Sequence, residues 1–176
     1  MFSKLKNEDF LLGTRISYYE GIVGGCGTAA ANDPVEDLAE MDKVIELLSS
    51  LKLDYLNVSA GIPGVTSEIT RPTNTSKWFY LHQFRYARRA RKFAGDMKII
   101  GSAYSVLKED ALEAAQENIQ HGDIDFVGWG RQTLADPLFP QRVKEDKKVN
   151  YCVSCSGCSK LMVKQEEVEC IMFKNK

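Results

Sequence analysis

The 176-residue sequence predicts an α/β fold of parallel βα units followed by a short cysteine-rich tail. Three observations carry that expectation. From about residue 10, short apolar runs alternate four times with longer amphipathic stretches. The last two of those runs end in glycine, at Gly101-Ser102 and Gly130-Arg131. Beyond a charged linker at Lys144 to Lys148, four of the five cysteines crowd into the end of the chain. Strands that alternate with helices imply right-handed crossovers and a parallel sheet.

The elements follow in order. Phe10 to Ser17 (FLLGTRIS) reads as a first strand, leading to a glycine-rich loop from Gly21 to Gly27. Asp33-Pro34-Val35-Glu36 predicts a helix start, with Asp33 as cap, Pro34 at the first helical position and Glu36 completing a capping box. Val35, Leu38, Met41, Ile45 and Leu48 keep a 3.6-residue period through that helix. Asp54 to Ser59 (DYLNVS) is the second strand, closed by Ala60-Gly61. A polar loop from Ile62 to Ser76 precedes a helix over about Lys77 to Ala94. The third strand is Met97 to Ile100, and the third helix runs from about Lys108 to His121, where Gly122 suits a left-handed cap. Ile124 to Trp129 is the fourth strand, and a last short helix covers Asp136 to Val143. Residues 1–145 are therefore expected to form the βα unit and 146–176 the tail.

Composition narrows the function classes. With 44% hydrophobic and 27% charged residues and a net charge of −1, the chain lacks the basic stripe of a nucleic-acid binder. The basic run Arg85 to Lys92 lies on a predicted helix and reads as a solvated face. No stretch approaches the ~20 apolar residues that span a bilayer. The first ten residues lack the apolar core of a signal peptide, and reduced thiols without an export signal predict the cytoplasm. His82 and His121 read as structural or solvent-facing, and Cys26 as a small packing residue. Tyr18, Tyr19 and Tyr104 follow strands and read as packing, with Tyr104 the one weighed as a ligand contact.

Glycine at the C-terminal end of a strand lets the backbone approach a ligand and present its N–H groups to an anion. Gly101, Ser102 and Ala103 form one such loop and Gly130 with Arg131 the other, the guanidinium adding a fork for phosphate oxygens. In barrels that bind phosphate, these donors come from the loops after the seventh and eighth strands. A complete barrel needs ~250 residues and eight units. Four units with the phosphate loops last predict the second half of a TIM barrel, with a small doubly wound sheet as the alternative.

The tail carries Cys152, Cys155, Cys158 and Cys170, a C-x2-C-x2-C-x11-C spacing. Three thiols within seven residues suit an iron–sulfur cluster, and the first three match part of bacterial ferredoxin ligation. Tetrahedral zinc is the second reading, although zinc ribbons divide their ligands two and two. Thiols without metal are the third.

Four segments together resemble the Old Yellow Enzyme family of FMN-dependent NADH:flavin oxidoreductases: RISYYEG (Arg15 to Gly21), DYLNVSAG (Asp54 to Gly61), IIGSAY (Ile99 to Tyr104) and DFVGWGRQTLADPLFP (Asp125 to Pro140). The cysteine tail resembles the branch typified by 2,4-dienoyl-CoA reductase, which adds a 4Fe–4S cluster after the barrel. The resemblance implies that Arg15 lies beside the flavin pyrimidine edge and that Gly101, Ser102, Gly130 and Arg131 hold the FMN phosphate. It implies that Cys152, Cys155, Cys158 and Cys170 are cluster ligands. Electrons would come from NADH, NADPH or a partner flavoprotein. Two departures stand out. The branch places three residues between the second and third cysteines where this chain has two, and the family has four more βα units before the first strand seen here. A separate N-terminal half-barrel or self-association is thus the expected partner.

Overall fold

The computed structural model describes residues 10–70 and 77–173; residues 71–76 of the expected Ile62 to Ser76 loop lie outside them. In chain order the elements are β1 (Gly13–Ser17), a hairpin of β2 (Thr28–Ala30) and β3 (Asp33–Glu36), and α1 (Ala39–Ser50). Next come β4 (Tyr55–Ser59), α2 (Ser67–Thr70), α3 (Lys77–Arg91) and β5 (Lys98–Gly101). Tight turns over Tyr104–Asp110 lead to α4 (Ala111–Gln120) and β6 (Phe126–Val127). α5 (Arg131–Ala135), α6 (Phe139–Lys144) and α7 (Gly157–Val163) complete the chain.

The main sheet has the order β1-β4-β5-β6, every pair parallel. Strand order follows chain order without a reversal. A doubly wound sheet reverses at its switch point, whereas a barrel adds each strand beside the last. The chain is therefore part of a barrel, with β1 and β6 at the two ends of the described sheet.

Alternation along β4 shows how the sheet is sided: Leu56 and Val58 are buried, while Tyr55, Asn57 and Ser59 are half-buried on the other face. Leu56, Val58 and Ile99 join Met41 and Ile45 of α1 and Tyr86, Ala87 and Ala90 of α3 in one core. Each large aliphatic side chain buried there stabilises the fold by roughly 1.5–3 kcal/mol. The opposite face carries Tyr55, Ile100 and Phe126, and Phe126 is 57% exposed.

Three expectations are corrected. Asp33 to Glu36 is a strand and not a helix start. Asp33 accepts a hydrogen bond from the Val35 amide at 2.9 Å in a local turn, Val35 is 60% exposed, and Glu36 is committed to Arg85 and Tyr86. The helix begins later, where Asp37 accepts from the Ala39 amide at 2.9 Å. The helix expected over Asp136 to Val143 is α6, which starts only at Phe139; a short helix not expected from the sequence, α5, ends just before Asp136. That carboxylate accepts from the amides of Leu138 (3.2 Å) and Asn150 (3.1 Å) and pairs with Arg142. Cys26 is exposed and not packed.

The basic run on α3 is more than a solvated face. Arg85 pairs with Glu36 on β3, Arg89 with Asp42 on α1, and Arg88 and Arg91 with Asp123 and Asp125 in the α4–β6 connection, so one helix is tied to three other segments. At α4 the expected cap is present. Gly122 (φ 74°) donates to Ile119, and Asp123 donates to Asn118, the paired bonds of a left-handed helix terminator.

The tail docks on α5 through Gln132, whose Oε1 accepts from the Cys152 amide and whose Nε2 donates to the Asn150 carbonyl, both at 3.0 Å. Among the described residues, no helix is long and apolar enough to cross a membrane.

Candidate functional site

The register of β1 against β4 pairs Arg15 with Asn57 and Ser17 with Ser59. Because side chains alternate along a strand, these four lie on one face, nearer the C-terminal ends than Tyr55. Two loops close over that end. After β5 the chain turns at Ala103, whose φ of 83° lets the Tyr104–Asp110 turns start abruptly. After β6 the Gly128 amide donates to the Gly101 carbonyl at 2.7 Å, which draws the second loop against the first.

The result is a cleft of about 700 Å³ lined by Arg15, Asn57, Gln83, Ser102, Ala103, Gly130 and Arg131, among others. That size suits a nucleotide-sized ligand. Of the expected phosphate residues, Ser102, Ala103, Gly130 and Arg131 come together here, with Arg15 in the same cleft. Gly101 does not line it. A side chain there would meet Ile124 Cγ2 at 2.8 Å, so its glycine answers to packing. At Gly130 a Cβ would meet nothing within 4 Å, so no protein atom requires that residue to be glycine.

Two further lining residues, neither singled out from sequence, carry fully occluded oxygens with no partner among the described residues: Asn57 Oδ1 and Gln83 Oε1. The asparagine of DYLNVS, a polar side chain in a strand-like run, is the one sequence signal for either residue.

Arg131 opens α5 and lines two cavities at once. Burial lowers its pKa, while Cys152 and Cys158 act the other way. The second cavity, about 20 Å³, is lined by Cys152, Cys155, Cys158 and Cys170. All four are free thiols. Burial raises the Cys152 pKa, opposed by the Ser154 backbone and Arg131. Four thiols suit zinc or an iron–sulfur cluster in donor chemistry. Their positions suit neither as they stand: among the described residues no three ligating side chains are grouped to hold a metal.

Tyr104 does not reach the cleft. It is 1% exposed, stacks on Phe84 with 4.5 Å between ring centroids, and accepts from Asn118 Nδ2 at 2.8 Å. Burial pushes its pKa up to about 12. His82 lies against Tyr86 and within 3.0 Å of Arg85, and His121 caps the end of α4, as a structural reading expects.

No protein-family model matches the sequence. It is 27% identical over 154 residues to an NADH oxidase from Thermoanaerobacter brockii, a match spanning 86% of this chain and 21% of that protein. In fold it is similar to 6-hydroxypseudooxynicotine amine oxidase from Pseudomonas geniculata, with a TM-score of 0.67 and 16% identity over 90% of this chain and 21% of that one. It also aligns with an old yellow enzyme homologue from Zymomonas mobilis, with a TM-score of 0.48 and 19% identity over 79% of this chain and 32% of that one. The chain thus spans about a fifth of the NADH oxidase that it resembles in sequence, and it shares its βα architecture with part of a larger oxidase.

Proposed function

We propose that this chain is the FMN-phosphate half of a flavin-dependent oxidoreductase of the NADH:flavin type, in the ene-reductase, enoate or dienoyl reductase class. The observation that supports it is the convergence of Ser102, Ala103, Gly130 and Arg131 with Arg15 in one cleft. The backbone amides of both loops and the Arg131 guanidinium are the donors for a dianionic phosphate. Arg15, further down the same face, is the cation for the ring edge where negative charge gathers on reduction. Bound there, FMN would supply hydride-transfer chemistry, and the chain supplies position and field. The likeness to an NADH oxidase supports a nicotinamide nucleotide as electron donor, and a complementary half-barrel is the partner that would complete the substrate end.

Titration of the purified chain with FMN and with riboflavin tests this reading. Charge-assisted hydrogen bonds are worth about 1.5–3 kcal/mol each, so FMN should bind at least about tenfold tighter. Equal affinities, or none for FMN, would overturn it.

A second reading rests on the four free thiols around one cavity: the tail is a metal site, and the chain a metal-binding or assembly module derived from such an enzyme. Metal analysis after anaerobic reconstitution decides it. One zinc per chain with no flavin bound favours the module. Iron and acid-labile sulfide in equal amounts, with FMN, favour the cluster-bearing oxidoreductase.

A further inference from the structure

We infer that Gln132 is a positioning residue through which the docked tail holds the phosphate end of the cleft in place, an assignment that rests on the flavin reading and adds to it. Gln132 is 1% exposed and follows Arg131 in α5. The tail uses both ends of its carboxamide. Oε1 accepts from the Cys152 amide and Nε2 donates to the Asn150 carbonyl, each at 3.0 Å. A carboxamide suits that task because it offers an acceptor and a donor side by side. Asn150 is fastened a second time, its amide donating at 3.1 Å to Asp136, just past α5.

The loop before Gln132 is held differently. Gly128 is bonded across to Gly101, but the Gly130 carbonyl accepts from the Thr133 amide at 3.1 Å and from the Thr133 hydroxyl at 2.7 Å, contacts that move with the loop. Gln132 reaches out of it, to residues 18 and 20 positions further on. Arg131 lines both the cleft and the cavity of tail cysteines, and Cys152 and Cys158 lie close enough to act on its charge. The tail is thus a wall beside that side chain. A long side chain loses binding energy when it must be ordered by its ligand, so a wall that orders it beforehand favours the anion. Tail and cleft therefore act as one unit. If Gln132 lets go of the tail, Arg131 and the amides beside it lose their aim, while Arg15 on β1 keeps its own.

FMN and riboflavin are titrated into the full chain and into Gln132→Met, Gln132→Asn and Asp42→Asn. Methionine keeps the length of the side chain and makes neither hydrogen bond; asparagine is one carbon too short to meet both tail groups. In Gln132→Met, FMN affinity should fall by about three- to tenfold and riboflavin affinity by less than about twofold, because only the anion end is loosened. Gln132→Asn should fall between, and it carries the comparison if Gln132→Met does not fold. Asp42→Asn weakens the helical side of the fold, so it should lose Tm and keep the wild-type ratio of the two affinities. A wild-type ratio in the Gln132 variants, or an equal loss in Asp42→Asn, overturns the assignment. Preference for FMN in the wild type tests the flavin reading; its loss in the Gln132 variants tests this one. If no flavin binds, amide hydrogen exchange of the ligand-free proteins decides. The Thr133 amide should exchange at least about tenfold faster in Gln132→Met, with β4 and β5 unchanged, and equal protection there or faster exchange throughout overturns the positioning role.

Discussion

Replacing Gly130 with valine separates a glycine kept for a ligand from one kept for the fold. The residue has a φ of −86°, outside the left-handed region that favours glycine, and a Cβ built on it meets no atom within 4 Å. The substitution should therefore change stability by no more than about 0.5 kcal/mol, a Tm shift of at most about 2 °C. Binding should respond differently. If the amides of residues 130 and 131 hold phosphate, a branched side chain over that loop displaces it and removes one or two charge-assisted bonds. At about 1.5–3 kcal/mol for each bond, FMN affinity falls by about ten- to a hundredfold per bond, while riboflavin affinity changes little. Flavin fluorescence titration with a parallel thermal melt measures both quantities. Wild-type FMN affinity in Gly130→Val would refute the placement of the phosphate. A large loss of Tm would show that the glycine serves the protein.

Arg131→Gln should weaken FMN about tenfold and leave riboflavin within about twofold, since it removes charge at the anion end alone; isothermal titration checks it. Asp42→Asn should cost about 2 kcal/mol, or about 4–8 °C in Tm, because Asp42 accepts from Tyr18 at 2.7 Å and from Arg89 at 2.7 and 2.9 Å while buried. The figure sits below that of a fully buried pair because Arg89 is partly in water. Burial alone would raise the Asp42 pKa, but the Arg89 and Tyr18 bonds outweigh it and hold it below the ordinary 3.8. The wild-type advantage is thus complete above that ordinary value and disappears as pH falls through the lowered one, which acid-unfolding curves of both proteins would show. Gly27→Ala should destabilise by more than about 2 kcal/mol in denaturant melts, because its φ is 73° and a Cβ would lie 2.3 Å from the Tyr18 carbonyl oxygen. Gly122→Ala, with similar φ but open space, should cost only about 1 kcal/mol.

Sequence by itself determined the βα order, the parallel sheet and the apolar periods, since these depend on local patterns of period two and 3.6 that tertiary context rarely overrides. Leu38 at the start of α1, Met41 and Ile45 along it, and the Gly122 cap lie where their spacing places them. It also marked the two glycine loops, because strand-end glycine and a neighbouring arginine are visible one residue at a time. Tertiary structure alone decided whether those loops meet. Their union depends on the parallel pairing of β5 with β6 and on the Gly128–Gly101 bond, contacts between residues 26 and 27 positions apart. The helix start expected at Asp33 failed because Glu36, a good capping residue locally, has a stronger claim from Arg85 and Tyr86 some 50 residues on.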